Sequence, residues 1–250
     1  MVNHPSKGFC GYVCFVEGTK AGIEFERLRR EIARGTRVVT LNGLTSVAAK
    51  AFVLSRLQAE TEKQFVVVTD SNKDLDAFSS DLGFWKTVYS KDKSAILSLP
   101  SFETDIYSGV SPHAETLEKR ALTLWSLANG SRDFVVLSAK SLVTRTIPPD
   151  EIKSLGVVIR RDHDHSPDDL IELLVSSGYV REEPLANVGQ FSLRGGIIDV
   201  WSPTADAPVR LEFFGDTVDS IREFDPETQL STGQLTAASL APMREFAATP

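Results

Sequence analysis

Apolar positions change their spacing part-way along this chain. Up to residue 147, short β-branched runs alternate with stretches of helical periodicity. Arg37–Leu41, Phe65–Thr69, Ala95–Leu99 and Phe134–Ser138 are rich in Val, Phe and Ile and bounded by turn residues, which predicts strands. Ile23–Arg34, with Ile23, Leu28 and Ile32, and Val47–Glu60, with Val47, Ala51, Leu54 and Leu57, predict helices. So do a segment capped by Asp70 or Ser71 and carrying Leu75, Phe78 and Leu82, and His113–Asn129 with Leu117, Ala121, Leu124 and Ala128. Alternation of this kind implies a mainly parallel sheet with helices on its faces.

Pro148 and Pro149 oppose helix continuation, and beyond them a strand, Gly156–Arg160, and a helix, Pro167–Ser177, are expected. The period then drops to two. "GQFSLRGGIIDVW", "VRLEFF" and "TVDSIREFD" read as β runs, with Gly215-Asp216 as a two-residue hairpin turn, so an antiparallel meander is predicted. "LTAASLAPMREF" can return as a further strand.

Length and composition add limits. The 250 residues, 42% hydrophobic and 24% charged, suit one large or two modest globular domains. No apolar run approaches a membrane span, and the first residues make a poor signal peptide. Cys10 and Cys14 are too few for a disulfide framework or a four-thiolate zinc site, and read as free thiols of a cytoplasmic protein. The net charge of −7 is uneven: Pro148–Thr232 holds 7 Lys/Arg against 17 Asp/Glu, whereas the remainder holds 20 against 17. Two surfaces of different charge suggest two domains, neither with the strongly basic footprint of a nucleic-acid binder.

"GLTSVAAK" stands where a phosphate-binding loop would begin. That motif needs G-x-x-x-x-G-K-[ST], whose glycines let backbone N–H groups curl around phosphate and whose lysine and hydroxyl serve the phosphates and magnesium. Gly43 occupies the first glycine, but Ala48, Ala49 and Lys50 replace the second glycine, the lysine and the hydroxyl. Lys50 follows the required position by one residue, about 100° around a helix. The loop is expected to persist as a strand-to-helix connection, without nucleotide hydrolysis.

Other groupings carry less chemistry. His163 and His165 beside Asp162 and Asp164 lack a third ligand at a fixed spacing for zinc, so an exposed acidic turn capped by Ser166 or Asp164 is expected. Arg27, Arg29, Arg30, Arg34 and Arg37 interleave with Glu24, Glu26 and Glu31, as on a solvated helix face. In the acidic part, Arg181, Arg194, Arg210 and Arg222 lie among Phe191, Phe213 and Phe214, and Arg210 and Glu212 share a strand face. Two readings stay open: anchors for a protein partner, or internal ion pairs on the meander. No G-x-S-x-G elbow or cysteine–histidine pairing suggests a catalytic site.

The stretch "GQFSLRGGIIDVWSP…APVRLEFFGDTVDSIREFDPETQ" resembles the signature shared by the bacterial transcription-repair coupling factors (Mfd) and the excision-repair protein UvrB. "LPSFETDIYSGVSPHAETLEKR" is similar to the coupling factors' W-E-T-x-P-Y-x-x-x-S-P-H segment, with Phe102 at the tryptophan, and "LNGLTSVAAKAFVLSRL" to their first loop. The degraded loop, and the direct run from "SPH" into a helix where UvrB inserts a tyrosine-rich hairpin, resemble the UvrB-homology module of the coupling factors.

The resemblance implies an α/β fold: a degenerate RecA-like parallel sheet with helices on both faces, plus an inserted small α+β domain containing the antiparallel meander. It implies an unassigned segment 1–22, a RecA-like domain 23–147, a UvrA-binding domain 148–232 and the start of a return to the first domain at 233–250. The implied role is that of a non-catalytic adaptor that recruits UvrA. The implied contacts, carried over by position, are Arg181, Phe191, Arg194, Arg210, Glu212 and Phe214, with Ser192 where UvrB has an arginine. No cofactor or metal is implied for this chain, which reads as a monomeric fragment. ATP, magnesium, double-stranded DNA and RNA polymerase belong to parts of the parent outside it. The alternative is a UvrB-related module with residual ATP or DNA affinity.

Overall fold

A computed structural model of the chain describes residues 20–61, 63–89, 96–104, 109–131 and 134–247. Cys10 and Cys14 lie outside the described residues. The chain divides into two compact units, Met1–Lys63 with Ser80–Lys93 and Gln64–Ser79 with Ser94–Pro250.

In the first unit, helix α1 (Lys20–Ala33) and helix α2 (Val47–Thr61) are followed by the C-terminal half of helix α3 (Asn72–Tyr89). Phe25, Leu28, Ala51, Leu57 and Leu82 are buried. Phe52 meets Trp85 edge-on at 4.9 Å, and the Arg56 guanidinium lies 4.0 Å from the centre of the Phe25 ring. The expected strand Arg37–Leu41 is absent. Its residues have no regular structure, and Val38 is 81% exposed. A β-branched run becomes a strand only where a neighbouring strand takes up its backbone groups, and the described residues of this unit contain none.

In the second unit, strands β1 (Val66–Thr69), β2 (Leu97–Leu99) and β3 (Val135–Ser138) form a parallel sheet in the order β1-β3-β2. Ser71 caps α3, accepting from the Asp74 N–H at 3.1 Å. Helix α4 (Ala114–Ala128) follows β2, and short helices α5 (Ala139–Leu142) and α6 (Pro149–Ser154) follow β3. α4 is buried on two sides. Leu124 and Leu127 pack on Leu97, Leu99, Val135 and Leu137 of the sheet, while Trp125 joins Ile147, Ile152, Leu155 and Ala241. The fold is α/β, as the alternation of periods implies.

Strand β4 (Val157–Arg160) and helix α7 (Pro167–Ser176) then lead into a mixed, mostly antiparallel six-stranded sheet. Its strands are β5 (Val180–Arg181), β6 (Gln190–Arg194), β7 (Ile197–Val200), β8 (Val209–Phe214), β9 (Thr217–Phe224) and β10 (Ser231–Leu235), in the order β10-β9-β8-β7-β6-β5. Strand β11 (Ala237–Leu240) returns to pair with β4. Ser166 accepts from the Asp169 N–H and so caps α7. Gly215, with φ of 62°, takes the first corner of the β8–β9 turn, where its missing Cβ removes the steric cost.

The period of two sends one set of side chains inward. Phe191, Ile198, Val200, Val209, Leu211, Val218 and Ile221 share a core with Leu170 and Leu174 of α7 and with Ile159, Ala238 and Leu240. Val218 and Ile221 are three residues apart yet both enter it. A register shift opposite Glu212 and Phe213 admits Asp219 as an extra residue, which restores the alternation.

Candidate functional site

The other face of the six-stranded sheet is polar, and the cross-strand register decides what meets there. Ser192, Asp199, Arg210 and Arg222 form one lateral row, and Arg194, Ile197, Glu212 and Ser220 the next. Arg210 and Arg222 are therefore directly opposite, an unfavourable juxtaposition for like charges. Each is compensated by a carboxylate. Arg210 makes a two-pronged contact with Asp199, Nε to Oδ1 at 2.7 Å and Nη2 to Oδ2 at 2.8 Å. Arg222 donates to Glu212, which also accepts from the Ser220 hydroxyl at 2.7 Å.

Asp199 is the centre of the set. Its side chain is 1% exposed, and Oδ2 also accepts from Arg194 Nη2 at 2.9 Å. Gln229, from the turn between β9 and β10, accepts from Nη2 of Arg210 at 3.2 Å and of Arg194 at 3.4 Å. Arg210 is also stacked 4.6 Å from the centre of the fully buried Phe224 ring. The hydrogen bond to Asp199 holds the Arg210 guanidinium above its ordinary pKa, so it carries a permanent positive charge. Arg194 is half exposed and also lies 3.6 Å from Glu183.

Of the six candidate contacts, Arg194, Arg210 and Glu212 are brought together on this face. Phe214 stands at the end of β8, 84% exposed. Arg181 is exposed on the edge strand, in register with Phe191, outside the two rows. Phe191 departs from expectation: it is 1% exposed and belongs to the core on the opposite face. The alternation puts it there, because Phe191 and Leu193 point inward when Ser192 and Arg194 point outward. Ser192 is buried beside Asp199.

Asp199, Gln229 and Phe224 are additions to the sequence-based set. One signal for Asp199 was legible: a lone acid in the apolar run "GGIIDVW", at a position alternating with core residues. Gln229 carried none, since it reaches the arginines through a turn.

Gly43 has φ of 88° in a loop that ends at Ser46, whose side-chain oxygen accepts from the Ala49 N–H at 3.2 Å and so caps α2. Ala48 and Lys50 are exposed, and Ala49 is half-buried. A cavity of about 580 Å³ in this unit is lined by Ala49 and Asn42 together with Phe25, Leu41, Leu44 and Phe52, among others. Its mostly apolar wall, which also carries Glu24, offers no cation to a phosphate among the described residues. Arg27, Arg29 and Arg34 pair with Glu24, Glu26 and Glu31 at i,i+3 on the exposed surface of α1. In the acidic turn, His163 meets the Arg161 carbonyl and Asp164 accepts from Thr217, and among the described residues no group of three or more metal-ligating side chains occurs. Among the same residues no helix is long and apolar enough to cross a membrane.

Residues 157–246 match the family model of the UvrB interaction domain. The chain is 36% identical over 232 residues to the transcription-repair-coupling factor of Myxococcus xanthus, covering 92% of this chain and 19% of that protein. It is 32% identical over 236 residues to that of Bacillus subtilis, with the same coverage, and 30% identical over 217 residues to that of Staphylococcus haemolyticus. The chain spans about a fifth of the length of these relatives.

Proposed function

We propose that this chain, which is homologous to the N-terminal region of the transcription-repair-coupling factors and contains a UvrB interaction domain, is a non-catalytic adaptor that recruits UvrA in transcription-coupled repair. The observation that carries this reading is the outer face of the six-stranded sheet. Arg194 and Arg210 converge there on Asp199, with Glu212 in the adjoining row, all within the matched residues, and Phe214 stands exposed at the end of the same strand as Arg210 and Glu212. Arginines and exposed aromatics are the residue types that carry binding energy at protein interfaces. A cationic pair on an otherwise acidic module also selects one partner surface against the repulsion of the rest. Arg181, exposed on the edge strand in register with Phe191, stands apart from this face and is not needed for the contact.

Titration calorimetry of the chain against purified UvrA tests this. Truncating one member of a desolvated charge pair costs roughly 2–5 kcal/mol, so Arg194→Ala and Arg210→Ala are each expected to weaken binding at least about 30-fold. Unchanged affinity in both variants, with the fold intact, would remove this face from the contact.

The same reading assigns the chain no nucleotide or metal and places it in the cytoplasm. The apolar wall beside Ala49, and the use of Ser46 as a helix cap, support a loop that no longer holds phosphate. Titration with magnesium-ATP is expected to give no saturable binding in the micromolar range, and a saturable isotherm would overturn that assignment. ATP-driven translocation, and contacts with DNA and RNA polymerase, belong in this proposal to regions of the relatives that this chain does not span.

A further inference from the structure

We infer that Asp199 and Gln229 are positioning residues, which set Arg194 and Arg210 side by side as one pre-formed donor pair for the carboxylate of a protein partner. The inference rests on the recruitment reading above and deepens it.

Asp199 lies on the face of the sheet opposite the main core. A buried ion pair is weak evidence for stability, because desolvation offsets most of the attraction. What this pair does produce is geometry. One carboxylate, 1% exposed, takes three guanidinium N–H groups from two strands. Without an anion between them, two guanidinium groups this close would repel and separate.

Gln229 approaches from an unrelated direction and meets the same two atoms. It holds φ of 61°, a left-handed conformation that is strained for a residue with a side chain. The turn is fixed by Asp225, whose Oδ1 accepts from the Glu227 and Thr228 N–H groups, holding its carboxyl below the ordinary range. The Gln229 amide is itself oriented, because Nε2 donates to the Pro226 carbonyl at 2.9 Å, leaving Oε1 for the arginines.

Nη2 of both arginines thus points at Asp199 Oδ2 and Gln229 Oε1. The Nη1 groups have no acceptor among the described residues. Two guanidinium groups that share the same pair of acceptors and each keep an unfilled amino group match the two oxygens of a carboxylate. Holding them in place beforehand removes the entropy that long side chains would otherwise lose on binding. Ser192, small and in register with Asp199, leaves that carboxylate to the two arginines.

The test uses the 250-residue chain, UvrA as the titrant, and chemical denaturation alongside. Gln229→Gly is the informative variant, since glycine adopts φ of 61° freely and does not touch the buried carboxylate. It is expected to keep or raise the denaturation midpoint while weakening affinity about 10-fold, the equivalent of one charge-assisted hydrogen bond. Arg210→Lys, which keeps the charge and loses the fork, is expected to weaken binding at least as much. Wild-type affinity in Gln229→Gly, while Arg194→Ala and Arg210→Ala lose binding, would overturn the positioning role and leave the recruitment reading standing. Wild-type affinity in those two alanine variants would remove this face from the contact and overturn the positioning role with it, and no binding of UvrA by the folded wild-type chain would overturn the recruitment reading.

Discussion

Glu245→Ala is expected to destabilise the chain by about 3–5 kcal/mol, the cost of leaving one member of a buried ion pair alone. Arg120 is completely buried on α4, and Glu245, 1% exposed, reaches it from the segment after β11 with both carboxylate oxygens. Arg120 has no solvent route for its charge. It also donates to the Pro100 carbonyl at 2.7 Å and stacks 4.2 Å from the centre of the Phe102 ring. Removing the carboxylate strands a guanidinium whose other contacts are neutral. Two further hydrogen bonds tie the same segment to the end of α7: the Tyr179 hydroxyl donates to the Ala241 carbonyl at 2.7 Å, and the Met243 N–H to the Ser177 carbonyl at 2.9 Å. The Tyr179 hydroxyl is pushed well above the usual phenol range by burial and stays a donor at every physiological pH. Urea denaturation should show the loss, and replacing both partners by apolar residues of matching volume should cost much less. A loss below about 1 kcal/mol in Glu245→Ala would mean that the pair is not desolvated.

Phe191→Ala is expected to cost a similar amount, about 3–5 kcal/mol, for a different reason. The ring fills the centre of the core between the six-stranded sheet and α7, so truncation leaves a cavity lined by aliphatic side chains that cannot all close over it. The contrast is Phe214→Ala, two strands away. Its ring is 84% exposed, and the change should move stability by no more than about 0.5 kcal/mol while weakening the partner contact. Equal stability in the two variants would contradict the assignment of Phe191 to the core. The pair separates two phenylalanines that have the same chemistry and opposite surroundings.

Much of this chain could be read without coordinates. Periodicity alone located β1 to β3, the helices between them, the meander and the Gly215-Asp216 turn, because each depends on spacing along one segment. The motif positions Ala48, Ala49 and Lys50 could also be judged directly, since a phosphate loop is a local arrangement. Resemblance to the coupling factors pointed to the face that holds Arg194, Arg210 and Glu212.

Tertiary structure decided what depends on a neighbour. The run Arg37–Leu41 has strand composition and no strand beside it among the described residues of its unit, so its valines stay exposed. Phe191 and Arg194 sit three residues apart on one strand, so alternation alone puts them on opposite faces; packing against α7 decided which face is the core, and the register with β7 brought Asp199 to the other. Gln229 and Glu245 act across 35 and 125 residues of sequence. Spacing determines which side chains share an element; only packing brings an acceptor from one element onto the donors of another.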